Sequence, residues 1–277
     1  MSARVVTRIV QGTPTSDGAG VRLTRVIGTA QLDHLDPFLM LDEFGTDRPE
    51  DYIAGFPNHP HRGFETVTYM LDGRMRHRDN HGNEGLLTPG SVQWMTAGRG
   101  IVHSEMPEQE EGRMRGFQLW INLPASDKMQ APRYQEFAGE DIPLVNVAPG
   151  VEARLIAGQF GGHQGVISQP ATEPLYVDLH LAAEARLAQP IDAGHNAFLY
   201  VYEGAVSVAD GTVPVRRGQL AVLGSGDEIV LRANEPSRVL LVAGRPLREP
   251  VARYGPFVMN TREEIMQAVQ DFQAGRF

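Results

Sequence analysis

The sequence predicts an all-β chain made of two small barrels and closed by one short C-terminal helix. Three observations lead there. With 30 Gly and 19 Pro in 277 residues, turns break the chain into segments better suited to short strands than to long helices. Phe117, Leu119, Ile121 and Leu123 alternate with Gln118, Trp120 and Asn122, the period of a half-buried strand. The two halves also overlay. Residues 65–73 match 196–204, both ending in acid-Gly, and residues 90–105 match 218–233 without a gap.

The elements follow in order. Residues 5–10 and 21–27 read as strands around a Gly/Asp/Ser turn. Residues 35–44 are apolar with acidic ends and run under the sheet. Residues 66–71 form a strand, and Asp72-Gly73 is a hairpin turn signal. A charged hairpin covers 74–79, a strand 91–96, a tight loop 97–100 and a further strand 101–105. Four prolines between 124 and 149 mark the junction, dividing the chain into an N-terminal barrel, 1–145, and a C-terminal barrel with helix, 146–277. Short strands resume at 153–157, 175–181, 197–202, 205–208, 219–223, 228–231 and 238–242. The last segment differs. Asn260-Thr261-Arg262-Glu263-Glu264 carries a capping box, Ile265, Met266, Val269 and Phe272 keep helical spacing, and Gly275 stops the helix.

Composition narrows the function. A hydrophobic share of 42% supports a real core. The net charge of -9 argues against a nucleic-acid groove. The absence of cysteine excludes disulfides, thiolate metal sites and cysteine nucleophiles. No apolar run approaches the ~20 residues of a membrane span, and the start lacks a signal-peptide pattern. The expectation is a cytoplasmic protein.

One stretch carries the chemistry. His59 and His61 stand at i and i+2, so on a strand they share a face. About forty residues later His103-Ser104-Glu105 repeats the spacing. Three imidazoles and a carboxylate suit one divalent transition metal, with Fe(II), Mn, Ni, Co, Cu and Zn all accepting such donors. Glu105 is either a ligand or an orienting partner. Glu65 is the reserve carboxylate, as a group near the metal or a partner of His61 or Arg62. In the overlay His59 and His61 fall on Pro190 and Asp192, and His103 and Glu105 on Leu231 and Ala233, so the second barrel has lost the site. His34, His77, His81, His163, His180 and His195 read as ordinary surface or structural histidines, with His77 and His81 solvated or at a rim. Phe44, Phe56, Trp94, Met95, Met114 and Phe117 are candidate cavity walls or barrel core. The acidic run through Glu108, Glu110 and Glu111 reads as a solvated loop.

These blocks resemble the pirin family of the cupin superfamily. The markers are Leu35-Asp36-Pro37-Phe38, the block from His59 to Tyr69, Gly98-Arg99-Gly100-Ile101-Val102-His103-Ser104-Glu105, Leu119-Trp120-Ile121-Asn122-Leu123-Pro124 and the block from Tyr254 to Thr261. The resemblance implies a bicupin fold, two stacked antiparallel jelly-roll barrels. It implies a metal, foremost iron, in the N-terminal barrel only, held at the positions of His59, His61, His103 and Glu105. It also implies a quercetin 2,3-dioxygenase that opens flavonols with O2 and releases carbon monoxide, Glu105 or Glu65 acting as base. The other activity it implies is a non-catalytic, redox-responsive regulator working through a protein partner.

Overall fold

The computed structural model describes residues 1–277, which divide into two compact units. One unit comprises Thr13–Thr29, Pro37–Glu140 and Leu247–Phe277; the other comprises Met1–Gly12, Ala30–Asp36 and Asp141–Pro246. All strand ladders are antiparallel, and the only α-helix is Arg262–Gln273. The chain is therefore all-β, with a seven-stranded and a four-stranded sheet in each unit.

The histidine-bearing unit has a seven-stranded sheet. Its order is Arg133–Phe137, Val92–Thr96, Phe64–Asp72, Met114–Asn122, Phe38–Thr46, Val21–Ile27, Thr13–Asp17. A four-stranded sheet runs Phe56–His61, Ile101–Pro107, Met75–Asp79, Glu84–Leu87. In Met114–Asn122 the predicted alternation is present, but both faces are covered. Phe117, Leu119 and Ile121 are fully buried, while Gln118 and Trp120 line an interior cavity.

The second unit repeats this plan strand for strand. Its seven-stranded sheet runs Val6–Gln11, Gln219–Leu223, Asn196–Glu203, Ser237–Gly244, Leu175–Leu181, Val151–Ala157, Leu144–Ala148. Its four-stranded sheet runs Arg186–Pro190, Glu228–Ala233, Ala205–Val208, Val215–Arg216. The ladder corrects the sequence overlay. His59 pairs with His103 and His61 with Ile101, whereas Leu231 pairs with Leu187 and Ile229 with Gln189. The residues matching His59 and His61 are therefore Leu187 and Gln189, not Pro190 and Asp192. The connection from this strand to the next is three residues longer in the second unit, a gap that an ungapped overlay cannot place. Leu187, Leu231 and Ala233 lie in one buried apolar cluster, so side chains fill the space that imidazoles occupy in the first unit.

The contacts also divide the chain differently from a cut at 145/146. Val6–Gln11 takes the edge beside Gln219–Leu223 that Arg133–Phe137 takes beside Val92–Thr96. The first strand thus completes the second unit. Conversely, the C-terminal segment belongs to the histidine-bearing unit. Arg62 bridges Phe257, with hydrogen bonds from Arg62 N to the Pro256 carbonyl and from Val258 N to the Arg62 carbonyl. Gly63 allows this approach. Its φ is +88°, and a Cβ there would sit 2.0 Å from the Val258 oxygen. The buried Lys128 ammonium donates to the carbonyls of Gly63 and Val258 and to Asn122 Oδ1, and burial pushes its pKa down to about 8. The helix begins on the expected capping box, Thr261 with Glu264. It buries Ile265 and Ala268 against Phe257 and Met259. Its Asp271 pairs with Arg62 at 2.7 Å, and the Arg62 guanidinium lies 4.4 Å from the Phe277 ring. Met266 and Phe272, on the predicted apolar stripe, are exposed.

Leu231→Ala should lower unfolding free energy by about 2–5 kcal/mol, the usual result of opening a packed apolar core. Chemical denaturation with elemental analysis checks this, with metal content expected to stay unchanged.

Candidate metal centre

Two adjacent strands build the centre. On Phe56–His61, alternation turns His59 and His61 to one side. Antiparallel pairing with Ile101–Pro107 sets His103 directly opposite His59. The ring centroids lie 4.7 Å apart for His59–His61, 4.4 Å for His59–His103 and 5.0 Å for His61–His103. One donor atom from each falls within 4.8 Å of the others.

The protonation pattern fits a cation. His59 Nδ1 lies 2.8 Å from the Pro57 carbonyl and donates to it, leaving the Nε2 lone pair free to ligate. His61 and His103 are buried, and His61 Nδ1 and both His103 nitrogens have no hydrogen-bond partner. Buried nitrogens without partners are costly, and a metal is the partner such nitrogens suit. Burial holds both imidazoles well below the usual 6.5, and the neighbouring histidines reinforce the shift. They are therefore neutral, the form that ligates. The three-histidine set fits a single divalent transition metal.

The carboxylates separate. Glu105 is buried, lines the same cavity and accepts from Thr68 Oγ1 at 2.8 Å, though the group within 4.8 Å comprises the histidines alone. Glu65 stands apart from the histidine cluster. It lies on the face of Phe64–Asp72 opposite Thr68, outside the cavity lining, and accepts from Thr96 Oγ1 at 2.6 Å. Residues 64, 66 and 68 share the inner face, so parity alone removes Glu65.

The charged hairpin predicts a solvated or rim position for His77, but it is 3% exposed. It stands opposite Glu105 in the ladder, stacks on Tyr134 at 5.6 Å and lies 2.6 Å from Glu136 Oε2. The signal was the alternation of Met75 and His77 with Arg76 and Arg78, masked by the charged neighbours. Those arginines point outward to Glu84 and Glu108. Glu110 and Glu111 are exposed, as a solvated loop requires.

A cavity of about 540 Å³ opens on His59 and His61. Of the proposed walls, Phe44 and Phe56 line it; Trp94, Met95, Met114 and Phe117 are packed elsewhere. Trp120, edge-on to His61 with centroids 5.2 Å apart, supplies an aromatic wall that the sequence reading missed. One polar row crosses the floor, formed by the ladder pairs Thr68–Gln118, Gln118–Asp42 and Asp42–Arg25. Arg25 grips Asp42 through two hydrogen bonds, 2.9 and 2.7 Å, and reaches Asp17 at 2.7 Å. Burial raises the Asp42 pKa against the opposing pull of Arg25. Arg253 lies over Trp120, 5.0 Å from its ring centroid.

Known proteins share this plan. The pirin family profile matches residues 20–121, and the pirin C-terminal cupin domain matches 176–277. A Pseudomonas aeruginosa protein, provisionally named a quercetin 2,3-dioxygenase, is 55% identical over 277 residues, covering 98% of this chain and 97% of its own. A pirin-like protein of Caulobacter vibrioides is 56% identical over 278 residues, with 100% of each covered. A crystal structure of quercetin 2,3-dioxygenase from Acinetobacter baumannii has a TM-score of 0.93 at 34% identity, covering 100% of this chain and 99% of that one. No helix is long and apolar enough to cross a membrane.

His103→Ala should abolish metal binding by elemental analysis while circular dichroism stays unchanged; undiminished metal would refute the ligand assignment. The two depressed imidazoles also set a pH dependence. The unfolded chain binds protons below 6.5 where folded His61 and His103 do not, so stability is fully present above 6.5 and declines as pH falls below it. Melting of the metal-free protein from pH 7.5 to 5 should show this decline, and His61→Ala should flatten it.

Proposed function

The chain belongs to the pirin family, and on that premise we propose that it is a metal-dependent dioxygenase acting on flavonols such as quercetin. The carrying observation is the cavity, about 540 Å³, with apolar walls and with His59 and His61 of the three-histidine cluster in its lining. That volume lies in the range of small-molecule sites. A space too small for a ligand would instead have favoured the regulator that works through a protein partner.

We assign Fe(II) as the resident ion and Glu105 as its fourth ligand, with Mn, Ni, Co, Cu and Zn the alternatives that the same donors accept. When bound, the metal supplies Lewis acidity and a route for electrons to O2. The chain's own residues do the rest. Glu105 takes the proton of the flavonol 3-hydroxyl. Thr68 Oγ1 lies 2.8 Å from Glu105 Oε1 and 2.6 Å from Gln118 Oε1, and its single proton serves one at a time. It points to Glu105 while that carboxylate is ionised. It turns to Gln118 once Glu105 holds a proton and donates back. Trp120 and Phe44 present flat apolar surface to the rings and keep water from them. One flavonol and one O2 give one depside and one carbon monoxide; the two ring bonds of C3 break, and C3 leaves as the gas.

Anaerobic loading with Fe(II), then air and quercetin, should bleach the flavonol band and release carbon monoxide. Absence of carbon monoxide with every one of Fe, Mn, Ni, Co and Cu would defeat the enzyme reading. Glu105→Gln should lower kcat by roughly 10²–10⁴, the usual worth of a general base.

A further inference from the structure

The polar row on the cavity floor is unusual for a barrel interior, and metal binding does not require it. Adjacent strands lie about 4.8 Å apart, so the row from Thr68 through Gln118 and Asp42 to Arg25 spans roughly 14 Å. Apolar pairs flank it on the same inner face. Trp120 pairs with Met40 on one side, and Phe44 with Leu23 on the other. Gly116, next to Gln118 on that face, leaves room for the Phe44 ring, which a Cβ there would meet at 2.6 Å. The result is a slot with flat apolar walls and a polar row along its floor, with Glu105 hydrogen-bonded to Thr68 at one end of the row and Asp42–Arg25 at the other.

Burying Asp42 at 3% side-chain exposure is expensive, and an apolar pair would often serve stability as well. The carboxylate nonetheless lines the cavity, and each of its oxygens carries acceptor capacity beyond the one Arg25 hydrogen bond it receives. Arg25 and Arg253 balance Asp17 and Asp42 on this lining, so the far end suits neutral hydroxyls better than a carboxylate or sulfate.

We propose that Asp42 and Arg25 are the specificity-determining pair of the site, reading the catechol hydroxyls of a flavonol's pendant ring. One hydroxyl donates to Asp42 while its vicinal neighbour accepts from Arg25. The two hydroxyls of the fused ring are not adjacent and cannot be gripped this way by one ion pair. The inference deepens the flavonol reading and rests on it.

The test measures dissociation constants by quenching of tryptophan fluorescence, using metal-loaded protein under nitrogen so that no turnover occurs. The probes are quercetin and galangin, the flavonol that lacks both pendant-ring hydroxyls. Wild type should bind quercetin at least about tenfold more tightly, as expected for hydrogen bonds to charged groups. Asp42→Asn should reduce that ratio to within about threefold. The double variant Asp42→Leu with Arg25→Met removes both charges together, leaves neither stranded, and should do the same. Metal content and melting temperature report on folding. Equal affinities in wild type, binding of neither flavonol, or selectivity that persists in the folded double variant would each overturn the proposal. Selective binding without carbon monoxide would keep it and sink the dioxygenase reading; carbon monoxide without selectivity would do the reverse.

Discussion

The pairing of His59 with His103 across two antiparallel strands is the constraint on which the site depends. Alternation brings His61 to the same side, and the barrel wall then buries two of the three rings. Burial makes the imidazoles neutral, and neutrality makes them ligands. Register, electrostatics and coordination are thus one arrangement at successive levels. A one-residue slip of Phe56–His61 would turn both of its histidines away.

The same ladder exists in the second unit with Leu187 and Leu231 at the paired positions. There the interior closes on itself as an ordinary core. The contrast shows that the cavity is not an automatic product of the fold. It requires inner-face residues that decline to fill the space: Gly116, the half-exposed Gln118, and the ion pair at Asp42.

Much of this was legible in the sequence. The strands, the repeat, the capped helix and the three histidines follow from spacing alone, because strand alternation and helix capping are local rules. What failed was non-local. Glu65 stood beside the histidines in sequence but on the wrong face, since Gly63 and the turn into the next strand reset the parity. His77 hid among arginines that point the other way. Trp120 falls with Gln118 and Asn122 on the face that alternation assigns to solvent, and that face lines the cavity. The placement of the first strand and the last helix depends on which sheet edge is vacant, which no window of sequence reports.

The strap formed by the C-terminal segment has a consequence in time. Arg253, Gly255 and Pro256 line the cavity, and Arg62 meets Asp271 across 209 residues of sequence. A ribosome delivers the histidines long before it delivers the wall behind them. While the second unit is being translated, the half-built cavity stands open, with Lys128 still lacking the Val258 carbonyl and Arg62 still lacking Asp271. The pocket therefore closes only when residues 253–256 emerge and fold back against it, and contacts of such long range are slow to form.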